Sequence, residues 1–226
     1  MKRVMVWDPW VRLFHWILVG AMAVSFYTMK TEGYPLLFPI DWHARAGYVV
    51  LGLILFRWCW GLIGSRHARF TSFLRGPRQL WSYGKRFVTG GLPEYAGHNP
   101  LGGWVVLVML LSLTLQGVSG LFLHDDILFE APLYGTVGKS TTGNLATLHV
   151  YNGNFLLILV GLHLVALVVH RIKGERLVGA MFTGRKRFEG EPVDGGGEVV
   201  KLMTGLWLAL IPLALATVLV VWLWNS

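Results

Sequence analysis

Residues 148–170 read LHVYNGNFLLILVGLHLVALVVH, a run without one aspartate, glutamate, lysine or arginine. A helix needs ~20 predominantly apolar residues to cross a bilayer core. With no water there to bond its amides, such a segment must be α-helical. Histidines interrupt the run at 149, 163 and 170. Fourteen residues of α-helix return to within about 40° of their starting direction, so His149 and His163 share a face, ~21 Å apart along the axis. One helix thus offers an inward imidazole near each end of its span. Ionisable groups are expensive in lipid and mark function by default. This stretch therefore sets the fold class, all-α and integral to the membrane, and shows where to look for chemistry.

The rest of the chain agrees. Of 226 residues 54% are hydrophobic and only 14% charged, against about 25% charged in soluble domains, which excludes an ordinary soluble protein. Five segments are long enough to span: roughly Trp10–Met29, His43–Ile63, Leu101–Leu123, Leu145–His170 and Leu202–Trp224. The first follows Lys2 and Arg3, but it carries Arg12 and His15 and lacks a small-residue cleavage site, so it reads as a retained span. A net charge of +8 would suit nucleic acid, yet the basic residues sit between apolar blocks, where membrane sidedness explains them and no nucleic-acid partner is expected. Fifteen of them fall in the N-terminal tip, the second loop and the segment after the fourth span; the other two loops hold only Lys30 and Lys139, beside five acids. The positive-inside rule then makes the N-terminus cytoplasmic and, after an odd number of spans, the C-terminus external. The single cysteine, Cys59, excludes an internal disulfide, a cysteine-held iron–sulfur cluster and a CxxCH haem attachment.

Along the chain, residues 1–180 form a four-helix domain, 181–201 a flexible cytoplasmic linker containing GEPVDGGGEVVK, and 202–226 an additional spanning helix with Pro212 and no histidine, which the linker lets stand off the bundle. Pro77 opens an amphipathic helix whose face of Leu80, Trp81, Gly84, Phe87 and Val88 suits the headgroup layer.

Depth pairs the histidines. His15 lies about one and a half turns inside the first span, level with His163, and His43 opens the second span on the outer side, level with His149. Two pairs follow, His15/His163 and His43/His149. Facing imidazoles, with no carboxylate in the middle of a span, suit six-coordinate haem iron; zinc would ask for four ligands at one point. Gly20, Gly47, Gly117, Gly120, Gly153 and Gly161 give small positions that fit a porphyrin plate or plain helix packing. Arg57, fourteen residues after His43, returns to the same face at the inner level, where a haem propionate would pair with it. Arg12, one turn before His15, is a second candidate. His170 is an alternative inner ligand, and His98 before Asn99 and Pro100 reads as part of a helix start. The competing function is a histidine-based proton pathway or transporter, which would need carboxylates inside the spans.

VWDPWVRLFHW at 6–16, HARAGY at 43–48, FRWCWGLIGSRHARFTSF at 56–73, GHNPLGGW at 97–104 and the opening stretch together resemble the bacterial membrane cytochrome b family. That family includes cytochrome b561 and the b-type cytochrome subunit of nickel–iron hydrogenases. The resemblance implies a four-helix bundle in the inner membrane holding two non-covalent haem b groups, ligated at His15, His43, His149 and His163. It also implies electron exchange between a quinone pool and a periplasmic partner, either a cytochrome c or a dehydrogenase or hydrogenase subunit. A stand-alone superoxide:quinone oxidoreductase is the enzymatic alternative. The acidic outer loops would repel superoxide and attract a basic protein, which favours a protein partner. Arg12, Arg57 and His98 inside, or Trp42, His124 and Asp125 outside, are the candidates for a quinone site. The fifth span departs from the four-helix members.

Overall fold

The computed structural model describes residues 2–30, 39–90, 93–125, 129–188, 190–195 and 206–226. A short strand β1 (Lys2–Met5) precedes helix α1 (Pro9–Lys30), and α2 (Pro39–Ile63) follows. One turn, α3 (Phe70–Phe73), leads to α4 (Pro77–Thr89) and then α5 (Pro100–Gly120). Helix α6 (Lys139–Ile172), α7 (Leu177–Thr183) and strand β2 (Arg185–Phe188) come next, and a 3-10 turn (Leu206–Ala209) opens α8 (Leu210–Asn225). Among the described residues five helices are long and apolar enough to cross a membrane: Pro9–Met29, Ile40–Ile63, Pro100–Gly120, Lys139–Ile172 and Trp207–Asn225. The fold is an all-α membrane fold. Large apolar side chains such as Leu162, Leu164, Val165 and Val168 stand exposed on α6, a surface whose solvent is lipid.

The helix starts follow local chemistry. Proline stands first in α1, α2, α4 and α5, where its fixed φ suits the helix and its missing N–H costs nothing. Asp8 caps α1 by accepting from the Val11 amide at 2.9 Å, and Asn99 caps α5 by accepting from the Gly102 amide at 2.7 Å. Helix α6 starts six residues before the expected Leu145 and is ~51 Å long, more than a bilayer core requires. On α4, Tyr83 is buried while Trp81 and Val88 are 70% and 86% exposed. Trp81 and Val88, on the face expected to meet the headgroup layer, are thus left open, while Tyr83 beside that face turns inward.

Contacts divide the chain into two compact units. The first, here the strand unit, is Met1–Leu13, Arg57–Val108 and Val160–Pro212; the second, the cavity unit, is Phe14–Phe56, Met109–Leu159 and Leu213–Ser226.

In the strand unit β1 pairs antiparallel with β2, Lys2 opposite Phe188 and Met5 opposite Arg185. Gly184 turns the chain into that pairing: its φ is 75°, and a Cβ there would lie 2.8 Å from the Trp7 carbonyl, so only glycine fits. Its carbonyl accepts from the amides of Val6 and Trp7. Asp194 then accepts from the amides of Ala96 and Gly97 at 2.6 and 2.8 Å, and its carbonyl accepts from Arg66 at 2.8 Å. The expected flexible linker thus begins as helix and strand, and residues 190–195 are tied down, because charged groups of this segment find main-chain partners on the 94–97 turn; 189 and 196–201 lie outside the described residues.

In the cavity unit α8 packs directly on α2. A Cβ at Gly52 would strike Val220 and lie 3.2 Å from the Ala216 carbonyl, and the Arg45 guanidinium lies 5.1 Å from the Trp224 ring centroid. The fifth helix does not stand off. Glycine opens a notch that lets the two backbones approach, the way membrane helices associate.

Candidate functional site

Within the cavity unit α1, α2, α5 and α6 surround an apolar cavity of about 350 Å³, in the range of ~300–1,000 Å³ usual for ligand sites. His43 and His149 both line it. Their ring centroids are 6.0 Å apart, with the planes at 72°. A first-row metal ion bonded to one imidazole nitrogen on each side at ~2 Å puts the centroids at roughly this separation.

The hydrogen bonds choose which nitrogen is available. His43 Nδ1 lies 3.1 Å from the main-chain carbonyl of Ser25, an acceptor only, so Nδ1 carries the hydrogen. The Ser119 hydroxyl donates to the Gln116 carbonyl at 3.0 Å, so its oxygen accepts from His149 Nδ1 at 3.1 Å. Both rings are thereby held in the tautomer with Nε2 unprotonated, the arrangement that orients metal-binding imidazoles. Gly120 admits the His149 ring: a Cβ there would lie 3.0 Å from its Cε1. Gly47, four residues after His43, has open space where its side chain would be, and Gly153 lines the same wall. Among the described residues no three histidine, cysteine or carboxylate side chains gather as a metal site. Two facing imidazoles across an apolar slot would suit haem iron, whose other ligands a porphyrin would bring.

The other expected site residues are placed differently. His15 lies in the cavity unit, edge-on to Trp16 with centroids 5.0 Å apart, and His163 lies half-buried in the strand unit. Arg57, also in the strand unit, is 3% exposed, sits over Phe70 and Phe73 at 5.1 and 5.9 Å, and its Nη1 has no hydrogen-bond partner among the described residues. Arg12 gives its Nη1 hydrogen to the Phe182 carbonyl at 2.7 Å, which bonds an end carbonyl of α7; its Nε is buried without a hydrogen bond. His170 faces Glu175, Nδ1 to Oε1 3.2 Å, a contact that involves its Nδ1 and not its Nε2. His124 lines the His43/His149 cavity and stacks on Tyr134 at 4.3 Å.

Two features were not singled out from the sequence. Asp8 is fully buried and accepts from Trp60 Nε1 at 3.1 Å, from Ser65 Oγ and from the Val11 amide; an aspartate just before a helix-opening proline was its signal. Ser119, Ser112 and Asn152 are buried polar residues in apolar spans, with half-buried Gln116 bonded to Asn152, visible in the sequence only as scattered polar letters. His98 is more than a cap neighbour: its ring lies 4.8 Å from Trp7 and 4.7 Å from Phe73, and its Nδ1 is buried without a hydrogen-bond partner among the described residues. Burial first, and the Arg57 charge second, push His98 down to about 3, so it is neutral at physiological pH.

The sequence profile of the family described as "Prokaryotic cytochrome b561" matches residues 6–184. The chain is also 24% identical over 223 residues to the "Probable Ni/Fe-hydrogenase B-type cytochrome subunit" of Rhizobium leguminosarum bv. viciae, covering 83% of this chain and 90% of that protein. No solved structure matches it.

Proposed function

The chain belongs to the prokaryotic cytochrome b561 family, membrane b-type cytochromes that work in electron transfer, and from that premise we propose a two-haem cytochrome linking a quinone pool to a periplasmic redox partner. When bound, haem b supplies a one-electron iron couple. His43 and His149 hold one iron through Nε2, with Ser25 and Ser119 orienting the rings. His15 and His163 hold the second. Arg57 and Arg12 meet its propionates: a buried guanidinium with an uncovered N–H seeks an anion, and Asp8 balances part of the Arg57 charge. The positive-inside distribution places the N-terminus in the cytoplasm and the C-terminus in the periplasm of the inner membrane. The hydrogenase-subunit relative supports a dehydrogenase or hydrogenase partner, and the acidic outer loops suit a basic face, such as that of a cytochrome c.

The observation that carries this reading is the pair of cavity-facing imidazoles with both Nδ1 atoms already bonded. Its test is a reduced-minus-oxidised spectrum with haem extraction on the purified chain. Two haems per chain and a low-spin bis-imidazole resonance are expected; a protein pure and folded without haem bands would overturn it.

A further inference from the structure

Each ring of the cavity pair has a serine at its Nδ1. His43 Nδ1 lies 3.1 Å from both the main-chain carbonyl and the hydroxyl of Ser25, and the carbonyl stays in place whatever side chain stands at 25. His149 gives its hydrogen to a side-chain oxygen, Ser119 Oγ. That serine is 1% exposed and its own hydrogen is spent on the Gln116 carbonyl, which is also turned toward the imidazole.

Behind it stands a polar brace in otherwise apolar spans. Ser112 Oγ donates to Asn152 Oδ1 at 2.7 Å, and Asn152 Nδ2 donates to the Ser112 carbonyl at 2.9 Å and to Gln116 Oε1 at 2.7 Å. Asn152 lies three residues after His149, hence on the same side of α6. Polar side chains that bond across membrane helices fix their packing; these fix α5 against α6 at the level of His149, holding the Ser119 hydroxyl in one orientation.

We propose that Ser119 is a positioning residue that locks the tautomer and raises the donor strength of His149, and so lowers the reduction potential of the haem held between His43 and His149. This rests on the ligand assignment proposed above. An imidazole whose Nδ1 hydrogen is bonded to an acceptor carries more negative character on Nε2 and is the stronger base. A stronger base favours ferric over ferrous iron, and axial donation is one of the levers by which a protein sets haem potential.

The test is a potentiometric titration of the holoprotein with the two haems resolved, run with electron paramagnetic resonance of the oxidised form. Ser119→Ala should raise the potential of one haem by at least a tenfold change in its redox equilibrium, about 59 mV, shift that haem's resonance and leave the other haem unmoved. Ser119→Thr, which keeps the hydroxyl, should restore the original values. Unchanged potentials in Ser119→Ala, with the ring rebonded to the Gln116 carbonyl, would reduce Ser119 to packing and overturn the proposal. Should Ser119→Ala shed the haem, Ser119→Cys, a weaker acceptor in the same space, is titrated with the same two outcomes. Failure of the ligand assignment is read separately: His149→Ala that keeps both haems brings that down whatever Ser119 does.

Discussion

In the cavity unit the two histidines that face open space have their second nitrogens bonded to Ser25 and Ser119, whereas in the strand unit the buried Arg57 and His98 keep N–H or ring nitrogen atoms without hydrogen-bond partners. The first arrangement leaves the Nε2 atom of each ring unprotonated. The second holds polar atoms among aromatic rings, Trp7, Phe70 and Phe73, with no hydrogen-bond partner among the described residues. The two regions thus treat buried nitrogen by opposite rules: Nδ1 atoms bonded around the cavity, and a guanidinium donor left uncovered at Arg57.

The sharpest way to break the comparison is to remove ligands one at a time. His43→Ala or His149→Ala should cost one whole haem by pyridine haemochromogen assay, and His15→Ala or His163→Ala the other. Equal loss in all four would mean that the two sites are not independent.

Next in size, Asp8→Ala should destabilise the strand unit by about 3–5 kcal/mol, because it leaves Trp60, Ser65 and the α1 start without their common acceptor beside a buried arginine. A thermal melt in detergent would show it. A change under 1 kcal/mol would mean that water enters to replace the carboxylate.

Gly52→Val should unseat α8 from α2 by overpacking, at about 1–3 kcal/mol. The expected readout is protease access to the chain before Trp207. Because α8 packs on the helix that bears His43, truncation before it should also loosen the haem between His43 and His149; full retention of that haem would show α8 to be a cover only.

Arg57→Leu should lower the potential of the haem ligated by His163 and leave the other untouched, since a nearby positive charge favours the electron-rich ferrous state. A shift confined to the His43/His149 haem would sink that assignment.

The smallest expected effect is on pH. Burial pushes His67 below its usual 6.5, Asp194 pulls it up, and Arg66 and Lys186 push it down. Its folded pKa lies under the unfolded one, so its contribution is full above about pH 6.5 and is lost as pH falls below that. Protection of the Ala96 and Gly97 amides, which Asp194 holds, measured relative to their intrinsic exchange at each pH, should fall on acidification; unchanged protection at pH 5 would show that His67 stays neutral or does not bear on the tail.

Much of this was legible in advance. Apolar length gave the spans, because lipid tolerates only satisfied backbone, and proline marked two helix starts, at Pro77 and Pro100. The tie between 190–195 and the 94–97 turn was illegible, since GEPVDGGG has the composition of a linker and its order comes from main-chain donors about a hundred residues away. The docking of α8 was hidden for a similar reason: Gly52 is one glycine among 28, and only a neighbour shows which of them is a notch.

Length, hydropathy and helical period are local quantities, so the membrane class, the number of spans and a set of candidate ligands could be read from the chain in order. Which nitrogen of His43 and His149 faces the cavity, the tethering of Arg12 to Phe182 and the burial of Asp8 depend on atoms brought together from distant residues. A hydrogen bond is specific to a few tenths of an ångström and to its direction, and no one-dimensional pattern carries that, so the tertiary structure alone decided them.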